Sequence, residues 1–375
     1  MSSFTAKLGD ICEIKRGTTI TQKNAIEGEI PVVAGGIKPT YFHNTANRTG
    51  KTITISGSGA NAGYVNFWSV PIFASDCSTV QVFRDDVCVE YIHYFLLSKQ
   101  EFIYKELRSG AAQPHVYGKD IAHIEVSVPE ILIQKKIVAK LDSIFAEIEK
   151  ATAAAEANAK NAEALFQSYL TQIFNRNSDD TLSTLGEYYD VRDGTHDSPK
   201  FFDEGYPLIT SKNLRSGVID FSNVQNISKE DYKSISQRSD VKKGDVLMAM
   251  IGTIGNPVIV DTDMEFAIKN VALFKTSQSQ SPEFLRYYLS SDFVVKKMEK
   301  DAKGATQKFV GLGYLRSFPI KIPKYEQQLN VVKDLERYER HTKKLLNAYR
   351  NKVSECVSLK NSILKQAFAG ELVKE

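Results

Sequence analysis

The sequence predicts a mixed α/β (α+β) fold in which two similar globular domains are separated by two long helices, the helices forming an antiparallel coiled coil with a pseudo-twofold internal repeat. Three observations predict it. The stretch from Ile131 to Phe174 contains no Gly or Pro, and its apolar residues step by four and three: Ile137, Leu141, Ile144, Ile148, Ala151, Ala155, then Ala162, Leu165 and Tyr169. Spacing of about 3.5 residues marks a helix seam that packs along another helix. Nearly the whole chain then occurs twice, and each copy ends in a long seamed stretch of this kind.

The repeat can be followed motif by motif. Leu8-Gly9-Asp10 returns as Leu185-Gly186-Glu187, Arg16-Gly17-Thr18 as Asp193-Gly194-Thr195, and Glu27-Gly28-Glu29-Ile30-Pro31 as Glu204-Gly205-Tyr206-Pro207. Phe73-Ala74 is matched to Phe266-Ala267, and Tyr94-Phe95-Leu96 to Tyr287-Tyr288-Leu289. From there the offset holds at 194 residues: Gly110-Ala111-Ala112-Gln113 answers to Gly304-Ala305-Thr306-Gln307, Val128-Pro129 to Ile322-Pro323, and Gln134 to Gln328. A period this long excludes a solenoid and points to one large duplicated unit.

Within each unit the elements come in the same order. The first part is rich in β-branched and aromatic residues and is punctuated by Gly, Pro and Asn. Thr52-Ile53-Thr54-Ile55 and Val246-Leu247-Met248-Ala249-Met250 read as strands running into glycine turns. A short amphipathic helix is expected near residues 89–108 and 282–300, and Pro129 and Pro323 mark the break before each long helix. The expected segments are globular domains over residues 1–130 and 177–323, with long helices over 131–176 and 324–375. The first helix is Ala-rich from Ala151 to Ala164, whereas the second carries Leu345, Leu346, Tyr349 and Val353 at matching seam positions. Small residues facing large ones allow close packing. Asn158 and Lys352 are placed on the seam, where a polar residue can fix register.

Composition bounds the function classes. The 375 residues, 42% hydrophobic and 25% charged, describe a globular protein of two or three domains. No apolar run approaches the roughly 18 residues of a membrane span. The first residues lack the apolar core of a signal peptide, and Cys12, Cys77, Cys88 and Cys356 form no CxxC pair, so a cytoplasmic protein with neither disulfide framework nor zinc site is expected. The net charge of +3 argues neither for nor against nucleic acid.

Enzyme motifs are missing where they would be needed. No Asn/Asp-Pro-Pro-aromatic motif of an adenine methyltransferase occurs; Asn256-Pro257-Val258 is the nearest. Gly57-Ser58-Gly59-Ala60-Asn61-Ala62-Gly63 lacks the Gly-Lys-Ser/Thr of a phosphate loop and the spacing of a dinucleotide fingerprint, so it reads as a turn after a strand, like Gly252-Thr253-Ile254-Gly255 in the second copy. Asp261, Asp263 and Glu265 alternate as on the solvated face of one strand, and the six histidines have no metal-ligand spacing.

Features suited to DNA are better represented. Between Lys15 and Lys51 six basic residues stand against two acidic ones, with hydroxyl, amide and aromatic groups between them that could reach phosphates or base edges. An ordinary basic loop has the same composition. In the second copy Arg192, His196, Lys200, Lys212, Asn213 and Arg215 are balanced by acids, and the basic cluster Lys233, Arg238, Lys242 and Lys243 follows. The matching Gly-Ala-x-Gln loops end in Gln113 and Gln307, as readily a structural turn as a DNA contact. Since each domain precedes its helix, antiparallel pairing would set the domains at opposite ends of a rod of roughly 66 Å, at 1.5 Å per residue. Two similar but non-identical heads on such a rod suit a DNA site with two different halves.

Several stretches resemble the specificity (S) subunit of Type I restriction-modification enzymes, the HsdS family, and the resemblance runs over essentially the whole chain. They are Lys7-Leu8-Gly9-Asp10-Ile11, Gly110-Ala111-Ala112-Gln113-Pro114-His115, Gln134-Lys135-Lys136-Ile137-Val138 after Pro129, and Ser362-Ile363-Leu364-Lys365-Gln366-Ala367-Phe368-Ala369-Gly370-Glu371-Leu372. The resemblance implies two target recognition domains, each reading half of a bipartite asymmetric site on double-stranded DNA. It implies helices that set the spacer and dock two methyltransferase (M) subunits, with restriction/translocase (R) subunits in the full complex. It implies no catalytic site in this chain, with S-adenosylmethionine, ATP and Mg²⁺ belonging to partners, and no role for a membrane. The candidate DNA-binding residues are Arg16, Thr18, Lys23, Lys38, Tyr41, His43, Arg48, Asn61, Gln113 and His115 in the first copy. In the second they are Arg192, Thr195, His196, Lys212, Asn213, Arg215, Gln307 and Lys308. The reading from another class is a non-catalytic two-headed scaffold that binds proteins.

Overall fold

A computed structural model describes residues 3–110, 112–176, 180–215, 217–304 and 307–373, so Ala111, Ala305 and Thr306 of the two Gly-Ala-x-Gln loops lie outside the described residues. Packing divides the chain into two compact units, one of residues 1–156 with 350–375 and the other of residues 157–349, so each long helix gives part of its length to each unit.

In the first unit the strands Cys12–Arg16, Cys77–Val82, Thr52–Ser56 and Val65–Trp68 form an antiparallel sheet in that order. Thr52–Ser56 is buried along its full length, as a central strand rich in β-branched residues should be. A smaller sheet joins Phe42–His43, Ile30–Val33 and Phe73–Ala74, the last two in parallel. Phe4–Lys7 pairs with Glu125–Val128 and closes the domain just before the long helix.

The second unit repeats this plan. Asp190–Asp193, Val271–Lys275, Val246–Ala249 and Gly255–Ile259 form the four-stranded sheet. Gln225–Ile227, Tyr206–Ile209 and Ala267–Ile268 form the three-stranded one, and Thr181–Thr184 pairs with Pro319–Ile322. The strand pairing corrects one sequence match. Val33 lies opposite Ala74 and Ile209 opposite Ile268, so the counterpart of Ala74 is Ile268, one residue beyond the match to Ala267. Two elements of the second copy have no equivalent in the first among the described residues: the hairpin Leu214–Arg215 with Val218–Ile219, and the helix Lys229–Ser239.

Each expected amphipathic helix is two helices. Val89–Ser98 is followed by Gln100–Glu106, and Pro282–Ser290 by Asp292–Asp301, because the backbone leaves helical geometry at Lys99 and Ser291. Asp261, Asp263 and Glu265 are not on a strand; residues 261–266 form an irregular loop.

The long helices run Ile131–Asn175 and Tyr325–Phe368. In the first unit their packing is antiparallel. Lys140 Nζ donates to the Leu372 carbonyl at 2.8 Å, while further along the first helix Glu149 faces Lys360, earlier on the second. Ile137, Leu141, Phe145 and Ile148 enter one core with Leu364 and Ala367 and with Leu8, Ile53, Ile92 and Ile103 of the domain. In the second unit Leu170 and Phe174 share a core with Val331, Val332 and Leu335, and Tyr169 packs on Tyr338 with centroids 4.1 Å apart. The expected seam holds as far as Ala155 and again at Ala162 and Tyr169, but not at Asn158 or Leu165. Leu165 is 71% exposed, and Asn158, Leu345 and Lys352 also face solvent; the covered stripe passes through Ala159, Ala162, Phe166 and Leu170. An ideal helix drifts by about 20° per heptad from strict 3.5-residue stepping, so the buried stripe moves off that series.

A matched pair of buried glutamines ties each domain to its own helix. Gln134 accepts from the Cys88 amide at 2.8 Å and donates to the carbonyls of Asp86 (2.9 Å) and Pro129 (2.7 Å). Gln328 accepts from the Ser281 amide at 3.3 Å and donates to the Pro323 carbonyl and the Tyr188 hydroxyl, both at 2.9 Å. Neither side chain is accessible to solvent. Each links the break before the long helix to the start of the preceding amphipathic segment and satisfies loop backbone groups that would otherwise be buried without partners.

Candidate nucleic-acid interface

In both copies the chain leaves the first strand of the large sheet through a glycine pressed against the neighbouring turn. A Cβ on Gly17 would lie 2.2 Å from the Ser75 carbonyl oxygen, and one on Gly194 would lie 2.2 Å from that of Ile268. The next residues, Thr18 and Thr195, donate their amides to the Ala74 and Ile268 carbonyls at 2.9 and 3.0 Å. The strand-end residues Arg16 and Asp193 are thereby set beside the turns that carry Asp76 and Asn270. Facing them are the Gly-Ala-x-Gln loops. Ser109 and His115 exchange both backbone hydrogen bonds, as do Lys303 and Phe309, and each loop is pinned to the glycine turn after the central strand.

A cavity of about 290 Å³ opens there in the first domain, lined by Arg16, Gly57, His115, Tyr117 and Lys119 among others. The second domain has a cavity of about 550 Å³ lined by Lys212, Asn213, Lys269, Asn270 and Gln307 among others. The duplication keeps the strand-end frame, but the cavities beside it are lined from different positions of the repeat, and Gly57 and Ile251 are the one pair of lining residues that correspond.

Within the first domain Arg16 is exposed, its Nη2 3.6 Å from Asp76, whose carboxylate also accepts from Ser58. Thr18, Lys23, Lys38 and Gln113 are exposed as well. His115 is half-buried and stacks on Tyr117, and Asn61 is a half-buried turn residue whose carbonyl accepts from the Tyr64 amide. Three candidates hold the fold instead of standing free. The His43 ring is buried and accepts from the Ile26 amide at 3.0 Å. Tyr41 donates to the Ile20 carbonyl at 2.6 Å. Arg48 is spread over Thr79 and the carbonyls of Asn47 and Arg16.

In the second domain His196 is exposed and bridges Asp193 Oδ2 (3.2 Å, from Nε2) and Asn270 Oδ1 (2.8 Å, at Nδ1). Asp193 is buried and also holds Arg238. Arg192 is drawn onto Asp190, and that guanidinium holds the Asp190 carboxyl below the usual carboxylate range. Thr195 accepts the Asp197 amide in a local turn. Lys212, Arg215, Gln307 and Lys308 are exposed, but Asn213 is buried and caps a turn, accepting from the Thr210 amide and donating to the Asp220 carbonyl. Tyr117, Lys119, Lys269 and Asn270 line these cavities and Asp76 pairs with Arg16 without appearing among the sequence candidates, while Arg238, which pairs with Asp193, was named only within a basic cluster. A match of Asp76 with Asn270 at the 194-residue offset was the signal that could have found that pair.

Chemistry elsewhere is sparse. Burial pushes the thiols of Cys12 and Cys77 up to about 12, which leaves neither as a nucleophile. Among the described residues no three His, Cys, Asp or Glu side chains are grouped to hold a metal ion, and no helix is long and apolar enough to cross a membrane.

One domain plan thus occurs twice, with different residues on the matching strand-end frames and a long helix after each copy. The chain belongs to the family of the Type I restriction modification DNA specificity domain, which matches residues 4–158 and again 181–355. It is 29% identical over 182 residues to the EcoBI specificity subunit of Escherichia coli, a match spanning 46% of this chain and 36% of that one. It is 22% identical to the MjaVIII specificity subunit of Methanocaldococcus jannaschii over 85% of this chain and 79% of that one. A chain from a solved type I R-M system has the same fold over 98% of both chains, with a TM-score of 0.72 and 18% identity. The HsdS subunit of Thermoanaerobacter tengcongensis matches with a TM-score of 0.54 and 19% identity over 98% of this chain and 97% of that one.

Proposed function

We propose that this chain is the sequence-reading, non-catalytic subunit of a Type I restriction-modification complex in the cytoplasm, and that it recognises a bipartite asymmetric site on double-stranded DNA. Each domain reads one half-site through its cleft, and the paired helices set the spacer and receive two methyltransferase subunits. Adenine methylation, restriction and translocation belong to the partners, which would bring S-adenosylmethionine, ATP and Mg²⁺. The observation that carries this reading is the duplicated strand-end frame: the same backbone arrangement presents Arg16 and Asp76 in one copy and Asp193 and Asn270 in the other. A protein that reads one sequence twice would have no use for that difference. The exposed candidates Arg16, Thr18, Lys23, Lys38, Gln113, His196, Lys212, Arg215, Gln307 and Lys308 form the DNA-facing set, and His43 and Asn213 shape it from within.

Co-expression with a cognate methyltransferase tests the proposal. Two methyltransferases per chain should co-purify, and mapping of methylated adenines should return one two-part motif. Binding should weaken steeply with added salt, since phosphate contacts release counterions. A chain that neither associates with the methyltransferase nor binds DNA refutes the proposal and favours a protein-binding scaffold.

A further inference from the structure

The two domains carry different residues on the matching frame yet repeat one arrangement of an exposed arginine against a less accessible carboxylate. In the first domain the strand end supplies the cation, Arg16, and the turn supplies the carboxylate, Asp76. In the second the strand end supplies the carboxylate, Asp193, while the cation is Arg238 from the helix Lys229–Ser239, which the first copy lacks. Each carboxylate is the less accessible partner. The side chains of Asp76 and Asp193 are 26% and 4% exposed, against 69% and 59% for Arg16 and Arg238. A second arginine, itself tied down, fixes the backbone of the first in both domains. Arg48 donates to the Arg16 carbonyl at 3.3 Å, and Arg192 donates to the Arg238 carbonyl at 3.4 Å. The same arrangement is thus built from different residues in the two domains.

An exposed guanidinium held from behind by a carboxylate keeps most of its donors free while losing rotamer freedom before it meets a ligand. Its fork matches the O6 and N7 acceptors of guanine in the major groove, the commonest specific contact of arginine with DNA. We propose that Arg16 and Arg238, braced by Asp76 and Asp193, are the paired specificity-determining residues of the two domains, each reading one guanine in its own half-site. This rests on the DNA-reading function proposed above. It requires that each half-site contain at least one G·C pair.

The test uses the full chain in complex with its methyltransferase, with the target first established by mapping methylated adenines. Duplexes are then substituted one base pair at a time. Arg16→Ala should relax discrimination at one G·C position of one half-site by about ten- to a hundredfold and leave the other half-site unchanged, and Arg238→Ala should do the reverse. Asp76→Asn and Asp193→Asn should relax the same positions more weakly. Arg16→Lys and Arg238→Lys retain the charge and the fold but lose the fork. They should keep most of the affinity and lose the discrimination, which separates a reading role from failed folding. A uniform loss of affinity on all sequences, with a salt slope reduced by about one, identifies phosphate contacts and overturns the proposal while leaving DNA recognition intact. A half-site made only of A·T pairs, or unchanged discrimination in the variants, also overturns it. If the wild-type complex shows no sequence preference, the proposed function itself fails.

Discussion

Replacing Gln134 with alanine should damage the first unit out of proportion to the atoms removed. The amide is inaccessible to solvent and serves three backbone groups: the Cys88 N–H at 2.8 Å and the carbonyls of Asp86 and Pro129 at 2.9 and 2.7 Å. Removing it takes away the partner of one donor and two acceptors at a partly buried junction. At 1–3 kcal/mol for each buried group left unpaired, and with some relief by water, the cost should be about 3–5 kcal/mol. For a unit of this size that is a fall in Tm of about 6–20 °C. Differential scanning calorimetry of the chain should show it. Gln134→Glu gives a sharper comparison, because it keeps the acceptor for Cys88 but turns a charged oxygen toward two carbonyls. Burial and those carbonyls should raise the new carboxyl's pKa above its unfolded value, so the variant's deficit should grow as pH rises and shrink as pH falls. A Gln134→Ala protein within 1 kcal/mol of wild type, or a Gln134→Glu protein whose deficit ignores pH, refutes the clamp (an order-of-magnitude criterion from the same pairing costs).

Gln328→Ala should destabilise the second unit by a smaller amount, about 2–4 kcal/mol, because the Ser281 bond is longer and the Tyr188 hydroxyl can turn to water; denaturant titration measures it. His93 packs on Phe67, and burial, with Lys360 adding to it, lowers its pKa from 6.5 to about 4. The unfolded chain therefore takes up a proton that the folded chain refuses. Stability that is full above pH 6.5 is lost as pH falls toward about 4, by at most roughly 3 kcal/mol, and His93→Phe should flatten that acid limb in denaturation curves. Gly17→Ala drives a methyl into the Ser75 carbonyl and should abolish recognition of one half-site, while Gly194→Ala should abolish the other; normal methylation by either variant would count against the shared frame. Matched insertions of a heptad in both helices, near Ala151–Ala159 in the first, should lengthen the spacer by about three base pairs without altering half-site bases, at 1.5 Å per residue and 3.4 Å per base step. Changed half-site bases with an unchanged spacer would defeat that expectation.

The long helices were legible because periodicity is a direct record of packing. Ile137, Leu141 and Ile148 are buried where the seam places them. The phase of the middle was not legible, since Ala-rich turns such as Ala153–Ala157 offer several faces of nearly equal apolarity, and strict heptad stepping chooses Leu165 where the helix covers Phe166. The central strands stood out for their β-branched runs. The clefts were only partly visible. His43 and Asn213 have the chemistry of DNA readers, but their partners are backbone atoms that no sequence motif announces. Asp193 and Arg238 are 45 residues apart, and nothing local in the chain marks them as a pair.

The hairpin Leu214–Ile219 and the helix Lys229–Ser239 enter the second copy between strands that the first copy also has, and those strands keep their pairing. The frame thus accommodates additional elements between its strands while the glutamine clamp and the long helix are present in both copies. For a lineage under pressure to change what it recognises, this separates heritable novelty from assembly. The segment between Ile209 and Val246 differs in content from its counterpart in the first copy, while the strands on either side of it keep their pairing. The duplicated plan is then a record of that freedom, with one copy having used it more than the other.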